Sequence, residues 1–396
     1  MIKNKNQVKI HLHDFGGYNF PAELSNELSL HNYKILHTHF PHTGFDKGIF
    51  TDINNTGKIT FKSIKLKQSY RTQNLFIRLL FEFKLAFKLL MIHIKFHPQV
   101  VILTNVPLIT ALIYRLVAQR ASFILWHQDI FSGAILMRNS KNNNSVLSKV
   151  QNKTVIYVEK YLVRSVDQVI CVADTFTDIY RAWNINPNKV HIIENWAPLY
   201  PLHKEERENK SSKPLKFIYT GTLGMKHNPE LLLDFVDQVS RVGIEVRLTI
   251  ISEGYGAEYL KSNFKLNKMI QIRNFVPLDQ LKQMLAESDI AIMLLEESAS
   301  EFSVPSKTYT YLAAGKPILA FAPENNLASK SILDAGGAVF FPNSQGVETS
   351  VHWISSMTQK KLEILGDQAR AFAEANFSIK GKAEEFIRII SASVRP

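Results

Sequence analysis

Between residues 304 and 317 the chain reads Val-Pro-Ser-Lys-Thr-Tyr-Thr-Tyr-Leu-Ala-Ala-Gly-Lys-Pro. Pro305 suits the first turn of a helix, where its missing N–H has no partner to lose. Gly315 ahead of Lys316-Pro317 is a stop signal that feeds the apolar run 318–321. The spacing predicts one short helix between two strands, with Ser306 and Lys307 in its first turn. A hydroxyl, an ammonium and unpaired backbone N–H groups would then converge on one anion, and the chemistry they suit is phosphate binding. A capped helix in front of a buried strand, with no ligand, fits the same residues.

Three further stretches carry chemistry-bearing residues. Gly16-Gly17 follows the apolar run 8–13, and a strand, a Gly-Gly turn and a helix let backbone approach a ligand closely. The turn 221–229, Gly-Thr-Leu-Gly-Met-Lys-His-Asn-Pro, follows another apolar run and brings Lys226. Lys226 and Lys307 together suit a diphosphate, whose charge otherwise calls for a metal. His127 and Asp129 close the run 122–126; two apart on a strand they share a face, where they would hold or deprotonate a sugar hydroxyl. A hydrogen-bonded structural histidine is the alternative there. No Asp-x-Asp pair, no His/Cys cluster with metal-ligand spacing, no Gly-x-x-x-x-Gly-Lys-Ser/Thr and no nucleophile elbow is present. Neither a metal nor another cofactor is expected.

Strands and helices alternate along the chain in the manner of parallel sheets. The first unit holds strands at 8–13, 34–38, 100–103, 122–126, 168–172 and 189–193, with helices between them. Residues 38–68 show no clear periodicity and suggest an acceptor-side flap, and 139–151, with three consecutive asparagines, reads as a polar loop. After a charged linker at 201–213 a second unit starts at Leu215. Its strands fall at 215–220, 245–251, 269–273 and 289–295, and the turn Ser252-Glu253-Gly254-Tyr255-Gly256 follows the second of them. Two doubly wound units facing a central cleft would bind ligands at the carboxyl ends of their strands.

Composition agrees with a globular protein of 396 residues, 45% apolar and 21% charged. One cysteine, Cys171, excludes an internal disulfide, and its apolar surroundings suit a buried thiol. No apolar signal segment follows the N-terminal methionine. The net charge of +12 lies in one half: residues 1–200 hold 24 Lys and Arg against 12 Asp and Glu, whereas residues 201–396 hold 23 of each. Such a surface suits an anionic partner. Residues 74–95 are apolar and basic together, and Arg78, Glu82, Lys84, Lys88 and Lys95 interrupt them too often for a membrane span. Two placements fit: a helix lying on a membrane, or a core helix whose lysines reach out to water.

The second half resembles the retaining nucleotide-sugar transferases of glycosyltransferase family 4, which have the two-Rossmann GT-B fold, and especially their colanic-acid-synthesis-like branch. The residues that carry this are the stretch 219–232, Phe275-Val276-Pro277, Val304-Pro305-Ser306-Lys307 and 311–317. Gly16-Gly17, Trp126-His127-Gln128-Asp129 and Glu194-Asn195-Trp196 match in the first half. The resemblance implies an α/β GT-B architecture: an N-terminal acceptor domain over 1–200, a C-terminal nucleotide-sugar domain over 214–375, and a last helix, 376–396, packing back on the first domain. It places the nucleotide sugar against Gly16 and Gly17, against Gly221, Thr222, Leu223, Gly224 and Lys226, and against Glu253. Phe275, Val276, Pro305, Ser306, Lys307 and Thr310 complete that set, with catalytic roles at His127, Asp129, Lys226 and Lys307.

Two positions depart from the family pattern. Thr310 stands where the family usually has a ribose-binding glutamate, and Thr222 where an arginine is common; Glu296, Glu297 and Glu301 lie out of register. The expected activity is metal-independent, retaining transfer of a sugar, UDP-linked for preference, to a lipid-linked or glycan acceptor in bacterial surface polysaccharide synthesis. The expected place is cytoplasmic, peripheral on the inner face of the plasma membrane through the first domain, with no nucleic acid partner. A non-catalytic nucleotide-sugar- or glycan-binding homologue acting as a partner subunit is the alternative, with Thr310 as its support.

Overall fold

The computed structural model describes residues 7–16, 19–40, 57–66, 75–132, 146–196, 214–224, 227–264, 268–300 and 305–394. The chain divides into two compact units, residues 1–195 with 379–396, and residues 196–378.

The N-terminal unit is built on a wholly parallel sheet of seven strands. In chain order its elements are β1 (Val8–Asp14), α1 (Asn19–Ser29), β2 (Tyr33–His39), β3 (Ile59–Ser63), α2 (Leu75–Phe96), β4 (Val100–Thr104) and α3 (Leu108–Val117). Then come β5 (Ser122–His127), α4 (Val146–Ser165), β6 (Gln168–Cys171), α5 (Phe176–Ala182) and β7 (Val190–Ile192). The strand order is β3-β2-β1-β4-β5-β6-β7, so the winding reverses between β1 and β4. In such sheets that reversal opens a crevice outside the strand ends. Register fixes which residues stand there: Asp14 pairs with Thr104 across the switch, and Thr104 with Trp126.

Helices cover both faces, as buried parallel strands require. His11 reaches Tyr114 of α3 on one face, while His37, offset by one position in register, reaches Ser25 of α1 on the other. The C-terminal helix α13 (Ile379–Ser393) belongs to this unit although it ends the chain. Phe386 meets Trp126 edge to face with ring centroids 5.0 Å apart, and Tyr33 Oη lies 3.2 Å from Ser391 Oγ.

The C-terminal unit repeats the plan with β8 (Leu215–Thr220), α6 (Glu230–Arg241), β9 (Val246–Ile251), α7 (Tyr255–Asn263), β10 (Ile270–Arg273), α8 (Leu278–Glu287) and β11 (Ile290–Leu294). There follow α9 (Lys307–Ala313), β12 (Ile318–Phe321), α10 (Leu327–Asp334), β13 (Ala338–Phe340), α11 (Ser344–Ser355) and α12 (Gln359–Asn376). Six parallel strands run β10-β9-β8-β11-β12-β13, with the switch between β8 and β11. Phe217, Phe235, Leu248, Ile292 and Phe321 are among the buried side chains that fill its core.

The sequence expectation of two Rossmann-like α/β units is borne out. Three details differ. β3 lies inside the stretch without periodicity, because a short edge strand with alternating exposure needs few apolar residues. The helix expected from Val155 begins at Val146, inside the stretch expected to be a polar loop. β5 ends at His127, so Asp129 lies beyond it and the two do not share a strand face. The linker at 201–213 and most of the expected flap lie outside the described residues.

Candidate functional site

In the C-terminal unit the chemistry gathers where β8 and β11 part. Tyr311, on α9, accepts the backbone N–H of Thr220 at 2.7 Å and lies 3.1 Å from the Thr220 hydroxyl, fastening the helix to the end of β8. Burial pushes the Tyr311 phenol up to about 12, so it keeps the proton it shares with Thr220. One turn back on α9, Lys307 Nζ donates to Tyr219 Oη at 2.5 Å and lies 3.8 Å from the centre of that ring. Tyr219 is buried, its phenol raised by burial and then by Tyr311, and it too remains protonated. The ammonium is therefore held over Gly221: a Cβ built there would stand 3.3 Å from Lys307 Cε and 3.4 Å from Nζ. Gly221 also has φ +108°, which only glycine adopts without strain.

Two turns clasp one another beneath this lysine. Gly221 N–H donates to Ile251 O, and Leu223 N–H reaches both Ser252 Oγ and Glu253 O. Gly256 N–H returns a bond to Leu223 O, and a Cβ on Gly256 would stand 2.9 Å from Leu223 Cβ. Gly224 N–H is taken by His227 Nδ1 at 3.1 Å. The amides of Gly221, Leu223 and Gly224 are thus committed inside the protein, and Thr222 beside them is exposed. An anion placed on this turn would meet side chains more than a backbone cradle.

The remaining expected positions fall as follows. Ser306 is exposed at the cap position of α9, and its hydroxyl caps nothing. Pro305 is buried, and Thr310 is half-buried on the same helix. Glu253 is half-buried in the second turn, and Phe275 and Val276, also half-buried, follow β10 two strands away from β8. Gly17 and Lys226 lie outside the described residues. Gly315 adopts φ +62° at the end of α9, and Gly366 of α12 packs so closely on it that a Cβ at 366 would meet Gly315 O at 2.6 Å. Lys316 is buried, donating to Ala286 O and Ser288 O at the end of α8, so this lysine is structural.

In the N-terminal unit the strand ends carry a different set. Gly16 N–H donates to Asp14 Oδ1 at 2.9 Å, and Asn105 Nδ2 lies 3.4 Å from the same oxygen. His127 is 3% exposed, with Nδ1 2.8 Å from Tyr180 Oη and Nε2 3.1 Å from Glu159 Oε1. Burial raises the Tyr180 phenol, so it donates to Nδ1, and Nε2 carries the proton that Glu159 accepts. Burial alone would raise the Glu159 carboxyl; the bonds from His127 and Ser132 outweigh it and hold it below the ordinary value. Phe131 and Ser132 N–H donate to the same carboxylate at 2.7 and 2.8 Å.

The expected His127–Asp129 pair is therefore corrected: His127 has both nitrogens occupied by Glu159 and Tyr180, and Asp129 is exposed beyond the strand. The sequence signal for Glu159 was available, since it stands three and four residues from Leu162, Val163, Ile156 and Val155, on the apolar side of its helix. Gln128 and Asn195 exchange amide hydrogen bonds of 2.8 and 3.2 Å, joining two of the motif stretches. Cys171 is buried, its thiol pushed up by burial to about 12, which makes it a packing residue.

Two parallel-sheet units of this construction define the GT-B fold. Residues 214–347 match the family described as Glycosyl transferases group 1, a span that runs from β8 into α11 and includes both clasped turns and α9. A probable glycosyltransferase of Pseudomonas aeruginosa, WbjE, is 23% identical over 285 residues, covering 69% of this chain and 68% of that protein. Among solved structures, a sucrose-phosphate synthase from Thermosynechococcus elongatus superposes with a TM-score of 0.70 at 14% identity, over 97% of this chain and 98% of that one. A glycosyltransferase from Rickettsia africae ESF-5 does so with a TM-score of 0.64 at 14% identity, over 98% and 99%.

Proposed function

We propose that this chain is a retaining glycosyltransferase of the family 4 kind whose C-terminal unit binds a nucleotide sugar and whose N-terminal unit receives a lipid-linked or glycan acceptor. The observation that carries this reading is the Lys307 ammonium held over Gly221 at the β8/β11 switch, inside the span that matches the transferase family. A diphosphate placed on that turn meets a fixed positive charge. As the glycosidic bond to the diphosphate lengthens, negative charge grows on the leaving oxygen, and the ammonium stabilises it more than it stabilises the ground state. Lys226 supplies the second cation from the same turn, so cationic side chains take the part that a divalent metal takes in other transferases. The acceptor hydroxyl attacks from the face the diphosphate leaves and gives its proton to the departing diphosphate oxygen, which conserves the anomeric configuration.

Donor class and turnover test this together. A thermal-shift panel of UDP, GDP, ADP and dTDP compounds is expected to single out UDP, since a ligand bound to the folded state raises its melting temperature by mass action. Lys307→Ala and Lys226→Ala are expected to lose turnover while remaining folded; full turnover by both variants sinks the mechanism. The non-catalytic reading rests on Thr310, which gives the ribose one hydroxyl where a carboxylate would accept two. It predicts negligible turnover in the natural chain and a large gain in Thr310→Glu.

A further inference from the structure

Helix α2 buries one side and leaves the opposite side apolar. Phe81, Leu85 and Leu89 are buried against the unit, whereas Phe76, Leu80, Phe83, Phe87, Met91 and Ile94 are exposed, Phe76 at 75% and Phe87 at 65%. These six recur at intervals of three and four, so they form one stripe about 27 Å long at 1.5 Å per residue. An apolar strip of that length on the surface of a protein marks a contact. Lys84, Lys88 and Lys95 each directly follow a stripe residue, which puts them along one margin of it.

The neighbouring helices say what the contact is. α2, α3 and α4 pack in a row. They contain two acidic residues, Glu82 and Glu159, and both are buried, each accepting backbone N–H groups. Every exposed charge described on the three helices is therefore positive, with Arg78, Lys153 and Arg164 joining the α2 lysines. On α4 Tyr157 and Tyr161 are exposed as well. No described helix is long and apolar enough to cross a membrane.

We infer that this face docks on an anionic lipid bilayer, with the α2 stripe immersed at the headgroup boundary and the basic margin on the lipid phosphates. A protein partner of ordinary mixed charge is matched by acidic as well as basic residues on such a face, and none is exposed among the described residues of these three helices. Immersion of aromatic side chains beside lysines is the arrangement that binds helices in the plane of a membrane.

The test is flotation of the full chain with vesicles of phosphatidylcholine alone or with about one third phosphatidylglycerol. The natural chain is expected to float with the anionic vesicles and to remain below the neutral ones. Phe83→Asp with Phe87→Asp should abolish flotation with little change in melting temperature, since both side chains are more than half exposed. Lys84→Ala with Lys88→Ala should weaken it about 30-fold. Failure of the natural chain to float overturns the inference, as does undiminished flotation of the aspartate variant. So does a dimer in sedimentation that the aspartate variant dissolves, which would assign the stripe to a second copy. Nucleotide binding in the thermal-shift panel needs neither vesicles nor acceptor, so the two proposals fail separately.

Discussion

Lys307 and Glu159 are each a charge held near a strand end of its own unit, Lys307 by Tyr219 and Glu159 by three N–H groups, yet one is half-buried and the other fully enclosed. Lys307 is half-buried, and its ammonium crosses a glycine turn open to solvent at Thr222. Removing it with Lys307→Ala is expected to lower kcat roughly 100-fold or more, the usual loss for one preorganised charge on a developing anion. Circular dichroism should show an unchanged fold, and single-turnover kinetics should place the loss in the chemical step. Glu159 is fully buried and accepts three N–H groups, so Glu159→Ala leaves three donors without a partner. That should cost about 3 kcal/mol and lower the melting temperature by roughly 6–12 °C for a unit of this size. Glu159→Gln, which keeps an acceptor oxygen, should recover part of the loss. Equal melting of both variants and the natural chain would remove the anchoring role.

At the scale of elements, the clasp between the β8 and β9 turns is the feature most sensitive to one added carbon. Gly256→Ala places a methyl group 2.9 Å from Leu223 Cβ and 3.0 Å from its carbonyl oxygen. Since both belong to or sit beside backbone, the turn must move, at a cost of about 1–3 kcal/mol. The expected readout is a weaker UDP affinity by calorimetric titration with a modest fall in stability; unchanged affinity would separate the clasp from the site. Helix ends in the N-terminal unit show a related economy of side chains. Pro107 at the cap position of α3 offers no side-chain acceptor, and Glu82 of α2 takes the Ile109 N–H instead at 3.1 Å. The acidic residue that looked like an interruption of an apolar helix is a cap for its neighbour.

For the whole molecule, acid should act unequally. His11, His13 and His37 are buried in the N-terminal unit, with burial first and neighbouring imidazoles second holding them low, His13 at about 3 despite its bond to Thr38. The folded unit keeps these rings neutral while the unfolded chain protonates them near 6.5. Above that pH they have no linkage effect. As pH falls below it the unfolded state binds more protons, and stability drops by up to about 1.4 kcal/mol per pH unit for each ring. For His13 the loss is complete below about 3. Glu159, held low, works in the same direction at lower pH, while Glu82, raised by burial, opposes it above the ordinary carboxyl range. Hydrogen exchange at pH 7, 5.5 and 4.5 should show peptides of β1 and β2 losing protection before those of β8 and β11. Simultaneous loss in both units would contradict this account.

Much of this was legible in the residues. Alternating apolar runs and turns, the Gly221 turn and the Pro305–Lys307 start reveal two wound units and the lysine-bearing strand ends, because parallel sheets need continuous apolar strands and ligand-facing turns need glycine. Local pattern did not reveal which charges are enclosed. His127 and Asp129 look like a pair by spacing, but only packing brings Glu159 and Tyr180 to the histidine from elements 32 and 53 residues away. Lys316 and Lys307 differ by nine positions and read alike; one is enclosed by the end of α8 and the other crosses an open turn. The apolar side of α2 that meets the sheet and the side that meets solvent have the same composition, so only the placement of neighbouring helices decides which is covered. Sequence sets the period of each element, and long-range contact assigns each charged or apolar side chain to the interior or to a surface.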